Sequence, residues 1–459
     1  MSDRYSRLLA EYAASVRWEH LSPEVVHEVK RRVLDSLGVA LAAFAEDAPK
    51  AARAYAYALS TPKGATLWGT PVKAPPGAAA FANAVMVRYL DFNDTYLSRE
   101  PLHPSDMIPA LFVLAEWRRC RPRDLIVAIA LAYEVGVCLC DAASLRAHGW
   151  DHVNYTALGT ACGAAYLLGL TPPQTEHALA ITAVPHAAMR QTRAGELSMW
   201  KGAAAAEATR NALEAALLAA SGMTGPYRPF EGEMGVFAQL FGGERFDEAA
   251  LRPLAEQAPP SRIRDTYIKF WPVEYHAQSA VDAALRLRQR IQDPARIASV
   301  HIETFRAAYE IIAKDPEKWE PKTRETADHS LPYIVTVALL DGEVDRASFT
   351  PARLRDPGLR AFLKDRVTLQ EDPALTRGYP EGIPNRITVR TQDGATYVEE
   401  VRFPRGHARN PMTDEEVMEK FRGNVAEVWT PAQAERVAEW VWRLEAQEDL
   451  EELVRLLYV

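Results

Sequence analysis

Apolar residues recur at helical spacing through most of the first 220 positions. After Ser22 and Pro23, the residues Val25, Val26, Val29, Val33, Leu34 and Leu37 follow a 3.6-residue period. A hydroxyl ahead of a proline at the first helical position is a good helix start. Gly38 then marks either the close of that helix or a tight contact. The runs Ala78 to Val87 and Met107 to Trp117 predict two more buried helices. Leu125 to Cys140 is the longest apolar run. It contains Glu134, falls short of the roughly 20 residues of a membrane span, and reads as a core helix. Ala203 to Ala220 is alanine-rich, which lets neighbours approach closely and suits the centre of a bundle.

After about Pro260 the pattern changes. Val300 to Phe305 and Arg386 to Arg390 alternate apolar with polar residues, and Val367 to Leu369 predicts a neighbouring strand. Asp393-Gly394 between two alternating runs predicts a β-hairpin. His329 to Leu340 reads as a buried helix, so the section is α+β. From Thr413 the pattern is helical again, with T-D-E-E as a capping box, and Trp440, Val441, Leu444, Leu450, Leu453 and Leu456 continue the helical phase.

The chain has 459 residues, enough for two or three domains and a large core. With 48% hydrophobic and 25% charged residues, it has the composition of an ordinary globular enzyme. A net charge of −8 without a long basic tract argues against a nucleic-acid partner, though a local cleft can still attract small anions. The start M-S-D-R-Y-S-R-L-L lacks the apolar region of a secretory signal. Cys120, Cys138, Cys140 and Cys162 form no C-x-x-C pair, so a reducing, cytoplasmic setting is expected. Cys138 and Cys140 lie in the apolar run and read as small core residues, which weighs against an iron–sulfur cluster.

Against this background, L-D-F-N-D-T-Y (Leu90 to Tyr96) and H-P-S-D (His103 to Asp106) form a dense polar insert between two buried helices. Such an insert must satisfy its own hydrogen bonds or bind something that does. Four further segments set basic or phenolic residues in apolar surroundings: G-W-D-H-V-N-Y (Gly149 to Tyr155), S-M-W-K-G (Ser198 to Gly202), W-P-V-E-Y-H (Trp271 to His276) and D-H-S-L-P-Y (Asp328 to Tyr333). With D-S-L-G in the segment Arg32 to Ala42 and R-G-H-A-R-N-P-M-T-D-E-E-V from Arg405 to Val417, the set resembles the MmgE/PrpD family over nearly the whole chain.

The resemblance implies a mainly α fold: an all-helical domain formed by both chain ends (1–262 and 405–459) around a smaller inserted α+β domain (263–404). The active site is expected between them. It implies a hydro-lyase that dehydrates 2-methylcitrate, and citrate as well, without metal or organic cofactor. The partners it implies are a small tricarboxylate and a second copy of the chain, with no nucleic acid and no membrane. Such a reaction needs a base for a C–H proton, an acid for the departing hydroxyl and cations for about three carboxylate charges.

Carried onto this chain, the family pattern makes Asp91, Thr95, His103, His152, Lys201 and Tyr333 catalytic, and His276 substrate-binding. Asp91 and Thr95 would share a face if their segment were helical. Arg190 and Arg193 are added as carboxylate clamps, because arginine presents a planar fork to a carboxylate. His407 reads as architectural and His301 as a cross-strand contact. His148 and His152 have a metal-like spacing, but Gly149 weakens a helix there and no third ligand is evident. Decarboxylation of cis-aconitate, epimerisation of an amino-dicarboxylate, and a non-catalytic helical scaffold remain the alternatives; product analysis separates the first two from dehydration.

Overall fold

The Ser22 side chain accepts from the Val25 N–H and Pro23 occupies the first turn, so the periodic segment runs as a helix over Pro23–Ala42. The computed structural model describes residues 3–459. Its contacts divide the chain into two units. One comprises residues 3–192, Gly202–Thr266 and Thr413–Val459; the other comprises Arg193–Lys201 and Tyr267–Met412.

Among the described residues, the elements of the first unit are helices apart from a short antiparallel hairpin, β1 (Ala65–Thr66) and β2 (Lys73–Ala74). This corrects the all-helical expectation. Pro62, Gly64, Gly69, Pro71 and Pro75 interrupt any helix there, and Glu116 takes up the Thr66 N–H at 2.9 Å. Pro76–Tyr89, Ile108–Arg118, Pro122–Ala142 and Val153–Leu168 carry the core, where each large apolar side chain contributes about 1.5–3 kcal/mol. Pro122–Ala142 has 21 residues, more than the sequence pattern indicated, and is long and apolar enough to cross a membrane. However, 94% of its most apolar window is buried within the fold, as befits a core helix. Burial pushes the Cys138 thiol up to about 12, with Glu134 adding to the effect, and Cys162 likewise to about 12, so both thiols stay protonated.

Both ends of the chain contribute to this unit. Helix Asp414–Val425, capped by Thr413 and Glu416 as the sequence suggests, packs on Pro23–Ala42. Lys420 reaches Asp35 at 2.6 Å, and a Cβ on Gly38 would lie 2.9 Å from Phe421 Cδ2. Gly38 is therefore a tight contact within the helix, not its end. The closing segment is broken, contrary to the continuous phase expected. Pro431–Trp442 stops, a turn spans Leu444–Ala446, and Glu451–Leu456 starts afresh. Asp449 Oδ1 accepts from the Glu451 N–H at 2.9 Å, a local bond that competes with helix continuation.

The second unit is built on a four-stranded sheet: β3 (Ile297–Thr304), β4 (Val367–Glu371), β5 (Asn385–Thr391) and β6 (Thr396–Val401), in the order β4-β3-β5-β6. β3 pairs parallel with β4 and antiparallel with β5. β5 and β6 form the hairpin, with Gly394 at φ 82 supplying its left-handed turn residue. Inward residues alternate along β5, so Ile387 and Val389 are buried beneath helix Gln278–Ile291, on which helix Leu331–Asp341 packs. His301 bonds across to Thr368 at 2.8 Å. His407 stacks on Tyr267 with ring centroids 4.6 Å apart, and burial followed by the Arg409 charge brings it down to about 4. It is a neutral packing residue. Gly406 before it, at φ 92, leaves no room for a Cβ against the Ile268 carbonyl.

Candidate active site residues

The polar insert begins where helix Pro76–Tyr89 ends. It is not helical, so Asp91 and Thr95 do not share a helix face as expected. Asp91 turns the chain with φ 52, a left-handed conformation that aspartate tolerates better than most residues. Tyr96 and Leu102 then exchange backbone bonds of 2.8 and 3.0 Å, closing a loop that brings His103 back beside Asp94. The Thr95 hydroxyl donates to the Leu102 carbonyl at 3.0 Å, fastening the same closure.

Within this loop the Asp91 carboxylate is paired with the Arg88 guanidinium, both fully buried. Arg88 Nη2 also meets His103 Nε2 at 3.0 Å, while His103 Nδ1 meets the Asp94 carbonyl at 2.8 Å. The Asp94 carboxylate points away, accepting from the Ser105 N–H and the Tyr133 hydroxyl, both at 2.8 Å, with Arg32 Nε at 3.4 Å. Asn93 bridges Ser105 and Asp106 at 2.9 Å each. Lys420 donates to the Phe92 carbonyl at 2.8 Å.

His152 precedes helix Val153–Leu168 and is buried, with its ring centroid 5.5 Å from that of His103. Its Nδ1 lies 3.2 Å from Asp151 Oδ1. His148 sits in a separate turn ending at Gly149 with φ 82, so the two histidines share no helix face. Among the described residues no group of three His, Cys, Asp or Glu is placed to hold a metal.

Glu100 lies fully buried in the same insert, accepting from Ser144 Oγ and the Arg146 N–H at 2.9 Å. Burial pushes its carboxyl up to about 7 despite these bonds. A folded-state value above the ordinary 4.5 stabilises the fold fully below that pH and loses its effect as the pH rises through about 7. Glu100→Gln is expected to flatten the fall in urea stability between about pH 5 and pH 8. An unchanged slope would show that this carboxyl ionises no less readily in the folded protein.

The second unit gathers another buried set. Lys201, second residue of helix Trp200–Ala220, places its Nζ 3.9 Å from Asp328 Oδ1. That oxygen is held by His329 Nδ1 at 2.5 Å, and the Asp328 carbonyl accepts from the Glu274 N–H at 2.9 Å. Glu274 in turn accepts from His276 Nδ1 and the His276 N–H, both at 2.7 Å. Burial would raise the Glu274 carboxyl, but the charge of His276, its hydrogen bond, and then His329 and Lys269 outweigh it and hold the group at about 2. Lys269 and Lys318 are buried as well, and burial lowers the Lys318 ammonium against the pull of Asp328. Three ammonium groups and two imidazoles gathered on two carboxylates suit the uptake of anions.

The buried Tyr333 hydroxyl donates to the Ser348 carbonyl at 2.7 Å. Arg190 and Arg193 form a half-buried turn, with the Arg190 N–H on the Gly149 carbonyl at 3.0 Å. Sequence reasoning gave no site role to Arg88, Asp94, Asp151, Glu274 or Asp328. Each lay inside or beside a quoted motif, and the i, i+3 spacing of Arg88 and Asp91 was the readable signal.

Two family descriptions match the chain: the MmgE/PrpD N-terminal domain over residues 7–249 and the MmgE/PrpD C-terminal domain over residues 271–445. The chain is 32% identical to the 2-methylcitrate dehydratase of Cupriavidus necator over 386 residues, covering 78% of this chain and 77% of that protein. It is 30% identical to the 2-methylcitrate dehydratase of Escherichia coli K12, covering 79% and 77% respectively. An alkylcitrate dehydratase of Talaromyces stipitatus is 27% identical, with 79% and 77% covered. With both domain descriptions matched and a third of the aligned positions shared with the first of these enzymes, the chain belongs to the MmgE/PrpD family.

Proposed function

We propose that the protein is a hydro-lyase that dehydrates 2-methylcitrate, and citrate as well, to the cis-aconitate-type product, using side chains without a metal. The observation that carries the reading is the pair of buried imidazoles, His103 and His152, with ring centroids 5.5 Å apart beside the Arg88–Asp91 pair. Elimination of water needs two proton-transfer groups close together, one for the C–H proton and one for the hydroxyl. The names of the relatives support the substrate class. Carboxylate binding is assigned to Lys201 and His276, with Lys269 and Lys318 adding to the local positive potential. Arg190 and Arg193 are retained as further clamps. Asp91 and Thr95 orient the loop that carries His103. The domain reading belongs to the same proposal: a helical domain from both chain ends and an inserted α+β domain, in a homodimer of the cytoplasm.

The test is product analysis. 2-Methylcitrate and cis-aconitate are incubated in parallel with the protein, and products are followed by NMR and CO₂ trapping. Loss of water from 2-methylcitrate without CO₂ is the expected result. CO₂ release from cis-aconitate with no dehydration would refute it.

A further inference from the structure

Arg88 and Asp151 distinguish the two histidines by the partner each supplies. A guanidinium only donates and a carbonyl only accepts. His103 therefore carries its ring proton on Nδ1, toward the Asp94 carbonyl at 2.8 Å, and turns the Nε2 lone pair to Arg88 Nη2 at 3.0 Å. His152 meets the opposite charge, with Nδ1 3.2 Å from the Asp151 carboxylate, which is buried and also accepts from the Val153 N–H at 3.3 Å. A cation beside an imidazole disfavours the imidazolium, and a carboxylate favours it. The titratable groups near His103 also include Asp91, paired with Arg88, Asp106, 3.9 Å from Arg88 Nε, and the His152 ring itself. The Asp94 carboxylate is turned to Ser105, Tyr133 and Arg32. Two like groups in opposite surroundings are fitted for opposite roles.

We infer that Arg88 is a positioning residue that holds His103 neutral as the base, while His152 beside Asp151 is the acid of the elimination. The inference deepens the dehydratase reading and rests on it. His103 Nε2 takes the C–H proton, and that bonding pair becomes the C=C bond. The C–O bond breaks, and the departing hydroxide takes the His152 proton and leaves as water. Exchange with solvent returns the proton lost by His152 and removes the one gained by His103. To accept that proton Nε2 gives up its bond to Arg88, which keeps Asp91 as its partner.

The test replaces the departing hydroxyl by fluoride, which leaves without being protonated. Wild type, His103→Gln and His152→Gln are compared on 2-methylcitrate and on this fluoro analogue, following alkene absorbance and fluoride release. His152→Gln should lose about 10²-fold or more on the hydroxy substrate yet stay within about tenfold of wild type on the analogue; His103→Gln should lose both activities. Arg88→Met should lower kcat with little change in KM. It should also move the His103 ring ¹⁵N signals away from the Nδ1-protonated neutral pattern of the wild type. Arg88→Lys, which still donates, should restore that pattern and part of kcat. Fluoride rescue of His103→Gln, equal impairment of both histidine variants on both substrates, or a His103 pattern indifferent to Arg88→Met overturns the assignment. A wild type inert on the hydroxy substrate overturns the dehydratase reading instead, and the ¹⁵N pattern still decides the role of Arg88.

Discussion

Lys201→Ala is expected to lower kcat/KM about 10²- to 10³-fold while leaving the fold as stable as before, or more so. Lys201 is the second residue of a 21-residue helix and only 1% exposed. The N-terminus of a helix carries partial positive charge, so an ammonium there is disfavoured, and burial disfavours it further. Burial and the helix N-terminus both work against a charged lysine at this position, whereas binding a polycarboxylate favours one. Its loss leaves Asp328 with His329 at 2.5 Å, so no buried carboxylate is stranded. Steady-state kinetics beside urea midpoints would check both halves of the expectation. A folded variant with turnover within about threefold of wild type would remove Lys201 from the reaction.

Asp94→Ala should have the opposite profile, a loss of about 3–5 kcal/mol in stability, with activity falling because the loop that carries His103 loosens. Asp94 is fully buried and gathers the Ser105 N–H, the Tyr133 hydroxyl and the Arg32 guanidinium. Removing it leaves three buried donors facing a cavity, one of them charged. Asp94→Asn keeps an acceptor for Ser105 and should lie between the two. Urea unfolding with near-ultraviolet circular dichroism reads the difference. An alanine variant as stable as wild type would mean that Arg32, which also holds Thr266 and Glu28, needs no carboxylate here.

The neighbouring acids of L-D-F-N-D-T-Y thus have different duties, and sequence alone did not separate them. Helix starts were legible because caps are local: Ser22 with Pro23, and Thr413 with Glu416, act on backbone groups three residues away. The strands were legible from alternation and the hairpin from Asp393-Gly394. The polar insert was legible as a place of interest but not as a geometry, because its shape depends on the Tyr96–Leu102 closure and on Arg32, Tyr133 and Lys420 from distant segments. Arg88 was missed because a basic residue in the last turn of a helix reads as an ordinary dipole partner. The bond from Tyr333 to the Ser348 carbonyl was not legible either, because no spacing rule foresees a carbonyl fifteen residues away.

The most direct measurement is ultraviolet absorbance on purified, chelator-treated protein mixed with 2-methylcitrate, since dehydration creates a double bond conjugated to a carboxylate. Metal-free dehydration predicts a steady rise at the same rate with and without chelator. No rise in either sample, or a rise that chelation abolishes and added metal restores, would contradict it.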